Sequence, residues 1–379
     1  MIRQAFSIPT FSHFEDGFTH FQNGKKARFY SFNMQDVEDF DFEMVSKTLQ
    51  DLTKTLVPSQ RFGIRVKKEK SFEVSNLPES RREAFSELGY TTYKTSAFLD
   101  AVTPSKLPFF SQKPSNDEYG SLHAIKALGF TELLPQEIGS EFWFEQCQIS
   151  NSGSYLDFGS ELLGAVSVNN KNEIANISQI ANIWDMLPYG AEVFTSFSKT
   201  PDGMALAQLR ALLNRQNSFG GFSKQQKLDD VASAINELEI NGGALVKIEQ
   251  YVLVRAKTEH ELRELLVGVK KAVEICLGSA MIETDGVADC FFSSRAGGEP
   301  LHQFHDTSLN VMSYAPFFGF VSNPKKFGNV NRSLVLQRRD DSIFLHDPLN
   351  PNFSAFNMIL VAATGSGKSV IMNKLTEAL

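Results

Sequence analysis

The chain is expected to fold as an α+β N-terminal region containing a ferredoxin-like unit, followed by the opening of a P-loop α/β domain. Three observations carry that expectation. Strand-period and helix-period segments alternate from Ala191 to Ser294. A stretch rich in Gly and Pro breaks the chain at 296–330. A phosphate-loop sequence at 362–369 sits between an apolar run and a helical one. With 379 residues, the chain has the length of two or three domains. Its division is read as an α+β region at 1–185, the ferredoxin-like unit at 186–295, a linker at 296–330 and the start of the P-loop domain at 331–379.

Composition narrows the function classes. Hydrophobic residues at 42% and charged residues at 21% are those of a folded globular protein, which excludes disorder, collagen-like repeats and a disulfide scaffold. Cys147, Cys276 and Cys290 form no CxxC pair, which fits a reducing compartment, and all three are read as small buried apolar residues. A net charge of -7 argues against direct nucleic-acid contact. The 33 Phe predict large aromatic cores. The longest uncharged stretches, Thr307–Asn323 and Asn350–Gly367, are broken by Pro, Asn, Ser or Gly, so no membrane span is expected. Met1–His20 lacks the apolar core of a secretory signal. A cytoplasmic protein is the expectation, and no internal repeat is visible.

The elements follow in order. Val37–Val57 reads as a helix with Asp36 as N-cap, acidic first turns, and Phe42, Val45, Leu49, Leu52 and Leu56 on one face. Pro58 ends it. Arg61–Lys70 alternates Phe62, Ile64 and Val66 with Arg61, Arg65 and Lys67, predicting a half-buried strand with a solvated basic face. Arg81–Leu88 reads as a helix, 101–118 as a Pro-rich loop, Tyr119–Gly129 as a helix and Glu141–Ile149 as a strand. Ala191–Lys199 and Ala244–Ala256 are strands, with a helix at Ser223–Glu239 between them. Thr258 and Glu261 form a capping box that opens a helix through Leu277, with Leu262, Leu265, Leu266, Val269 and Val273 as its apolar face. A strand at Ser279–Glu283 and a short helix at Gly286–Ser294 complete a β-α-β-α-β order. Leu334–Gln337 and Ser342–Leu345 are short strands, Met358–Ala363 an apolar strand and Ser369–Leu379 a helix.

One motif carries chemistry. Ala362, Ala363, Thr364, Gly365, Ser366, Gly367, Lys368 and Ser369, continuing into Val370, fit the phosphate-binding loop with Ala in place of the first Gly. Glycines let the backbone wrap closely and aim N–H groups at phosphate. Lys368 neutralises β- and γ-phosphate charge, Ser369 offers a hydroxyl to Mg²⁺, and the following helix directs its positive end at the anion. ATP and Mg²⁺ are the cofactors expected. Hydrolysis also needs a carboxylate strand to polarise water on Mg²⁺ and often an arginine finger. These usually follow the loop, and only Val370–Leu379 follow here. The expectation is therefore the front part of a longer protein, itself without the catalytic complement.

The order of parts resembles the TraC-type ATPases of conjugative type IV secretion systems. A large α+β region precedes a linker, a hairpin ending at Phe344-Leu345-His346-Asp347-Pro348, and then Asn357 to Leu375, NMILVAATGSGKSVIMNKL, which is the most specific part. The resemblance implies a RecA-like motor domain after the loop and phosphate contact by Lys368. It implies magnesium at Ser369 and loop amides from Thr364, Gly365, Ser366 and Gly367. It also implies a hexamer at the cytoplasmic face of the bacterial inner membrane, docked on the inner-membrane complex and energising pilus assembly or substrate transfer. Two other functions keep the same loop. One is a non-enzymatic assembly module of that complex. The other is a DNA-translocating motor of coupling-protein type.

Other constellations are weaker. His302, His305 and Asp306 lack a nearby third ligand type and read as a polar loop. Phe219-Gly220-Gly221-Phe222 reads as a turn, and the acidic run from Asp36 to Glu43 as a solvated helix start.

Overall fold

Strand-forming alternation dominates the chain, and in the computed structural model it builds, among the described residues, a 13-stranded antiparallel sheet with helices packed on it, a mixed α+β architecture. The structure describes residues 11–15, 18–36, 41–56, 60–72, 90–102, 123–138, 147–171, 177–200, 202–218, 232, 235–236 and 245–298. It also describes 307–310, 321–322, 334–337, 343–347, 349, 361, 363, 365 and 367–378.

The first strands are β1 (Phe11–Glu15), β2 (Phe18–Phe21), β3 (Lys25–Ser31) and the two-residue β4 (Gln35–Asp36). Helix α1 (Phe42–Thr55) leads to β5 (Gln60–Ser71) and β6 (Tyr90–Val102), and a short helix at 123–127 to β7 (Thr131–Glu132). Next come β8 (Gln148–Ile149), β9 (Leu156–Asp157), β10 (Leu162–Lys171), α2 (Ile177–Met186) and β11 (Glu192–Lys199). Helix α3 (Asp202–Ser218), β12 (Leu245–Ala256), α4 (Glu259–Cys276), β13 (Gly278–Ile282) and α5 (Val287–Ser293) follow. The last elements are β14 (Thr307–Asn310), β15 (Val321–Ser322), β16 (Leu334–Gln337), β17 (Ile343–His346) and α6 (Lys368–Ala378).

The strand order is a palindrome: β1-β2-β3-β6-β5-β11-β12-β10-β9-β8, with β7 added to β3 and β13 to β10. Each half contains three meandering strands, a helix, two strands, a helix and a last strand. In the first half β7-β3-β6-β5 lie side by side, and in the second β13-β10-β12-β11. All these pairs are antiparallel, and β5 meets β11 antiparallel at the seam, Ile64 opposite Thr195. The halves are thus related by a pseudo-twofold axis through the sheet. No repeat is visible in the sequence; the repeat lies in topology, in the order and direction of the strands. The sheet takes strands from both sides of position 185, and residues 296–330, set apart as a linker, supply β14 and β15.

Alternation along each strand sends side chains to two faces. On one face Phe62, Ile64, Val66, Val193, Phe197, Ile248, Val252 and Val166 are buried under four helices. Val45, Leu49, Leu52 and Leu56 come from α1 and its end, Ala124 and Ile125 from the 123–127 helix, Ile183 and Trp184 from α2, and Leu262, Leu266, Val269 and Val273 from α4. The apolar stripes of α1 and α4 face inward as their spacing predicts, with Leu265 half-buried at the margin. Phenylalanines nucleate both faces. Phe62 sits edge-on to Phe130 and Phe197, at 5.3 and 5.5 Å between ring centres. On the other face Phe98, Phe194 and Tyr251 stack in a row under α5.

Three local expectations change. Helix α1 is capped by Asp41, whose carboxylate accepts the Met44 N–H at 2.9 Å, while Asp36 lies in β4. An acidic run offers several caps, and the one three residues before a free amide in the first turn wins. The capping box of α4 is shifted on one side: Thr258 accepts the Glu261 N–H, but the Glu261 carboxylate reaches the Lys257 N–H. The basic face of β5 is solvated only at its end: Arg61 and Arg65 are buried and Lys67 is half-buried beside Glu69, while Lys68, buried too, points with Val66 to the helix side. Lys68 donates to the carbonyls of Trp184 and Leu187 at the end of α2, which ties the first half to the second. The predicted elements at 81–88, 103–118, 139–146 and 223–231 lie outside the described residues.

Candidate functional site

The phosphate-loop residues meet α6 as the sequence predicts, and the helix starts at Lys368. The Ile371 N–H donates to the Gly367 carbonyl at 3.1 Å, so Gly367 stands at the helix entrance with the first-turn amides beyond it. Gly365 and Gly367 have φ of 84° and 88°, a left-handed conformation that side chains disfavour. A Cβ at either position would meet nothing within 4 Å, so the space around both is open. Left-handed glycines before a helix N-terminus turn amides toward a common point, which suits an anion. Ala363, Gly365, Ser369 and Val370 are exposed, and Gly367 and Lys368 are half-buried. Ala362, Thr364 and Ser366 lie outside the described residues. Leu375 anchors α6, which packs against β16.

The strand expected before the loop is not seen in its described residues. Val361 and Ala363 belong to no strand, and Val361 is 88% exposed. A parallel strand buried on both faces needs neighbours on each side, and the described strand ladders do not include 361 or 363.

Sequence reasoning missed a second cluster, on the sheet face opposite the four helices. Arg61 donates to Asp100 at 2.7 Å, and Arg65 to Glu192 at 2.7 Å, with Arg295 Nη1 3.5 Å from the same Glu192. Asp100 also accepts the Gly297 N–H at 2.9 Å. Arg61 reaches the Ser293 carbonyl, and Ser293 and Ser196 both donate to Glu249. Lys25 donates to the Gly298 carbonyl at 2.8 Å. The segment 293–298 is thereby bolted across the sheet. Burial alone would raise the Glu192 carboxyl, but Arg65 and Arg295 outweigh it and hold the group well below the usual carboxylate range. Asp100 has one guanidinium beside it, and there burial wins and pushes the carboxyl up. These charges are spent on one another and on the backbone, so the cluster fixes structure rather than performing acid–base chemistry. The alternation of β5 showed the cations, but their partners are 39 and 127 residues away along the chain.

The remaining sequence candidates add little. Burial pushes the Cys276 thiol up to about 11 and the Cys290 thiol well above its ordinary value, so neither is a ready nucleophile. Glu283, at the end of β13, is buried and accepts the Ser167 hydroxyl. His302, His305 and residues 219–222 lie outside the described residues. Among the described residues, no helix is long and apolar enough to cross a membrane. No protein-family model and no curated protein matches the chain.

Proposed function

We propose that this chain is the N-terminal region, with its nucleotide loop, of a TraC-type ATPase of conjugative type IV secretion systems. The observation that carries the reading is the pair of left-handed glycines, Gly365 and Gly367, in open space at the start of α6. In this reading the loop from Ala362 to Val370 holds the phosphates of ATP. Lys368 offsets their charge, and Ser369 holds Mg²⁺. The bound ion would screen phosphate charge, and the chain's own amides would orient the group. Residues 331–379 then open the motor domain, of RecA-like type. What the loop residues support is phosphate and magnesium binding; hydrolysis also needs a magnesium-polarising carboxylate and often an arginine finger.

The sheet would be the docking body, meeting the secretion complex at the cytoplasmic face of the inner membrane, in a hexameric assembly. Its second half reads as the ferredoxin-like unit. The support is the succession β10-α2-β11, β12-α4-β13, with strand order β13-β10-β12-β11 and both helices on one face. The first strand of that pattern lies before residue 186 and its helix ends there. The first half repeats it.

Binding of a fluorescent ATP analogue with Mg²⁺ to the full chain and to Lys368→Ala tests the reading. The parent chain binds and the variant loses affinity by more than about tenfold, about 1.4 kcal/mol. No binding by the parent chain overturns it. With binding established, absence of ATP turnover together with retained capture of the inner-membrane partners favours the assembly module. Turnover stimulated by DNA favours the translocating motor.

A further inference from the structure

The β1–β2 hairpin carries a cluster that no part of the nucleotide reading uses. His13 stands opposite His20 in the register, and Glu15 lies two residues along the same strand. Paired residues, and residues two apart, share a face, so both imidazoles and the carboxylate project from one side of the sheet's outermost hairpin. Their ligand atoms all lie within 4.8 Å of one another. The two rings are stacked 4.5 Å apart and 6° from parallel, and His13 Nε2 is 3.6 Å from Glu15 Oε2. His13 and Glu15 are more than half exposed, so no core packing demands them. As an ion pair alone, two such exposed groups contribute little.

We propose that His13, Glu15 and His20 form a site for a divalent transition metal of the zinc class. Two imidazoles and a carboxylate are a donor set that Zn²⁺ takes at about 2.0–2.2 Å, and three protein ligands leave a fourth position for water. Donors at those lengths stand about 3.3 Å apart around a tetrahedron. The two rings stand parallel, so one imidazole must turn about its side-chain bonds to bring its in-plane nitrogen lone pair onto an ion shared with the other. His13 already has an outer partner: Ser12 Oγ is 3.0 Å from its Nδ1. In the tautomer whose Nδ1–H donates to that hydroxyl, Nε2 on the Glu15 side is left to bind metal, the outer-partner arrangement of a metal-bound histidine. The ion would cross-link β1 to β2 at the sheet edge, where β1 is exposed along its length and, among the described residues, pairs with β2.

Zn²⁺ titration of the full chain against a chromophoric chelator tests the site, with Co²⁺ absorption reporting the coordination geometry. The expected result is one ion per chain with a tetrahedral Co²⁺ spectrum. Affinity falls more than about a hundredfold in the double variant His13→Ala/His20→Ala, and about tenfold in Ser12→Ala, the scale for losing an outer partner. It is unchanged in His302→Ala/His305→Ala. Ser12 and His13 are exposed and His20 is half-buried, and Glu15→Gln, equal in size, checks that the loss follows the ligand rather than the fold. Affinity that survives removal of both His13 and His20, or stoichiometric binding lost only with His302 and His305, overturns the proposal. So does failure of the parent chain to take up Zn²⁺.

Discussion

The two halves of the sheet share one topology and differ in what covers the face away from the helices. Both lay two helices on the same side, and Val45, Leu49, Ala124 and Ile125 of the first half do there what Ile183, Trp184, Leu262 and Leu266 do in the second. On the opposite side, among the described residues, the second half sends α5 and the segment 293–298, with Leu133 and Ile138 of the first half packed beside them, and that cover lies over charges from both halves. Arg61, Arg65 and Asp100 belong to the first half; Glu192, Glu249 and Arg295 to the second. A repeated topology can thus be held by non-directional burial on one side and by unique, directional pairs on the other. The apolar side tolerates exchange of similar side chains. The charged side specifies which segment crosses the seam.

The largest expected effect breaks the charged side. Asp100→Ala leaves the buried Arg61 guanidinium without its carboxylate and removes the acceptor of the Gly297 N–H. The expected loss is about 3–5 kcal/mol, read by urea denaturation. A loss within 1 kcal/mol would mean that the segment 293–298 is not held through Asp100.

Acid is the next probe, with an expected effect on the order of 2–3 kcal/mol. The Glu192 carboxyl is held below its ordinary value of 4.5 in the folded chain. The unfolded chain therefore takes up a proton near that pH while the folded chain does not. The contribution of Glu192 is fully present above about pH 4.5, and is lost progressively as pH falls toward the folded value. Asp100 works in the other direction, because its raised carboxyl gains from protonation in the folded state. Comparing Glu192→Gln with the parent chain separates the two: the variant should show a shallower fall in stability between pH 5 and pH 3, by equilibrium unfolding at about half-unit steps.

What was legible in the sequence was local. The stripes of α1 and α4, the alternation of β5, β11 and β12, and the Thr258 cap depend on residues within one or two turns, and these elements are present. The glycines of the phosphate loop were legible for the same reason. What was hidden depends on pairing across long separations. Arg65 looked solvated because its partner Glu192 is on another strand, and the palindromic order cannot be read from segments taken singly. The pairing of His13 with His20 needed the register of two short strands that carry no strong pattern.

A smaller effect contrasts two glycines, one facing each side. Gly63 on β5 faces the charged side, where an added Cβ would lie 2.4 Å from the Phe98 ring. Gly164 on β10 faces α4, where the nearest atom is a Leu266 methyl at 2.9 Å. A leucine tip can turn, and a ring locked between strands cannot. Gly63→Ala should cost about 1–3 kcal/mol by overpacking and Gly164→Ala less, compared by thermal melting. Equal losses would show that the helix side is as unyielding as the charged one.

The smallest effect concerns the helix caps, which the two halves share in kind. Asp41 opens α1 by accepting the Met44 N–H at 2.9 Å, and Thr258 opens α4 by accepting the Glu261 N–H at 3.3 Å. Each satisfies one amide that the helix itself leaves open, so Asp41→Ala and Thr258→Ala should each cost about 1 kcal/mol. The aspartate should cost more, because its charge also meets the positive end of the helix and its bond is the shorter. Raising the salt concentration to about 1 M shrinks the Debye length to about 3 Å and should narrow that difference, leaving the Thr258 effect unchanged. A gap between the two variants that persists at high salt would place the asymmetry in hydrogen-bond geometry rather than in charge. The first and second halves would then differ on the helix side as well as on the side where their charges meet.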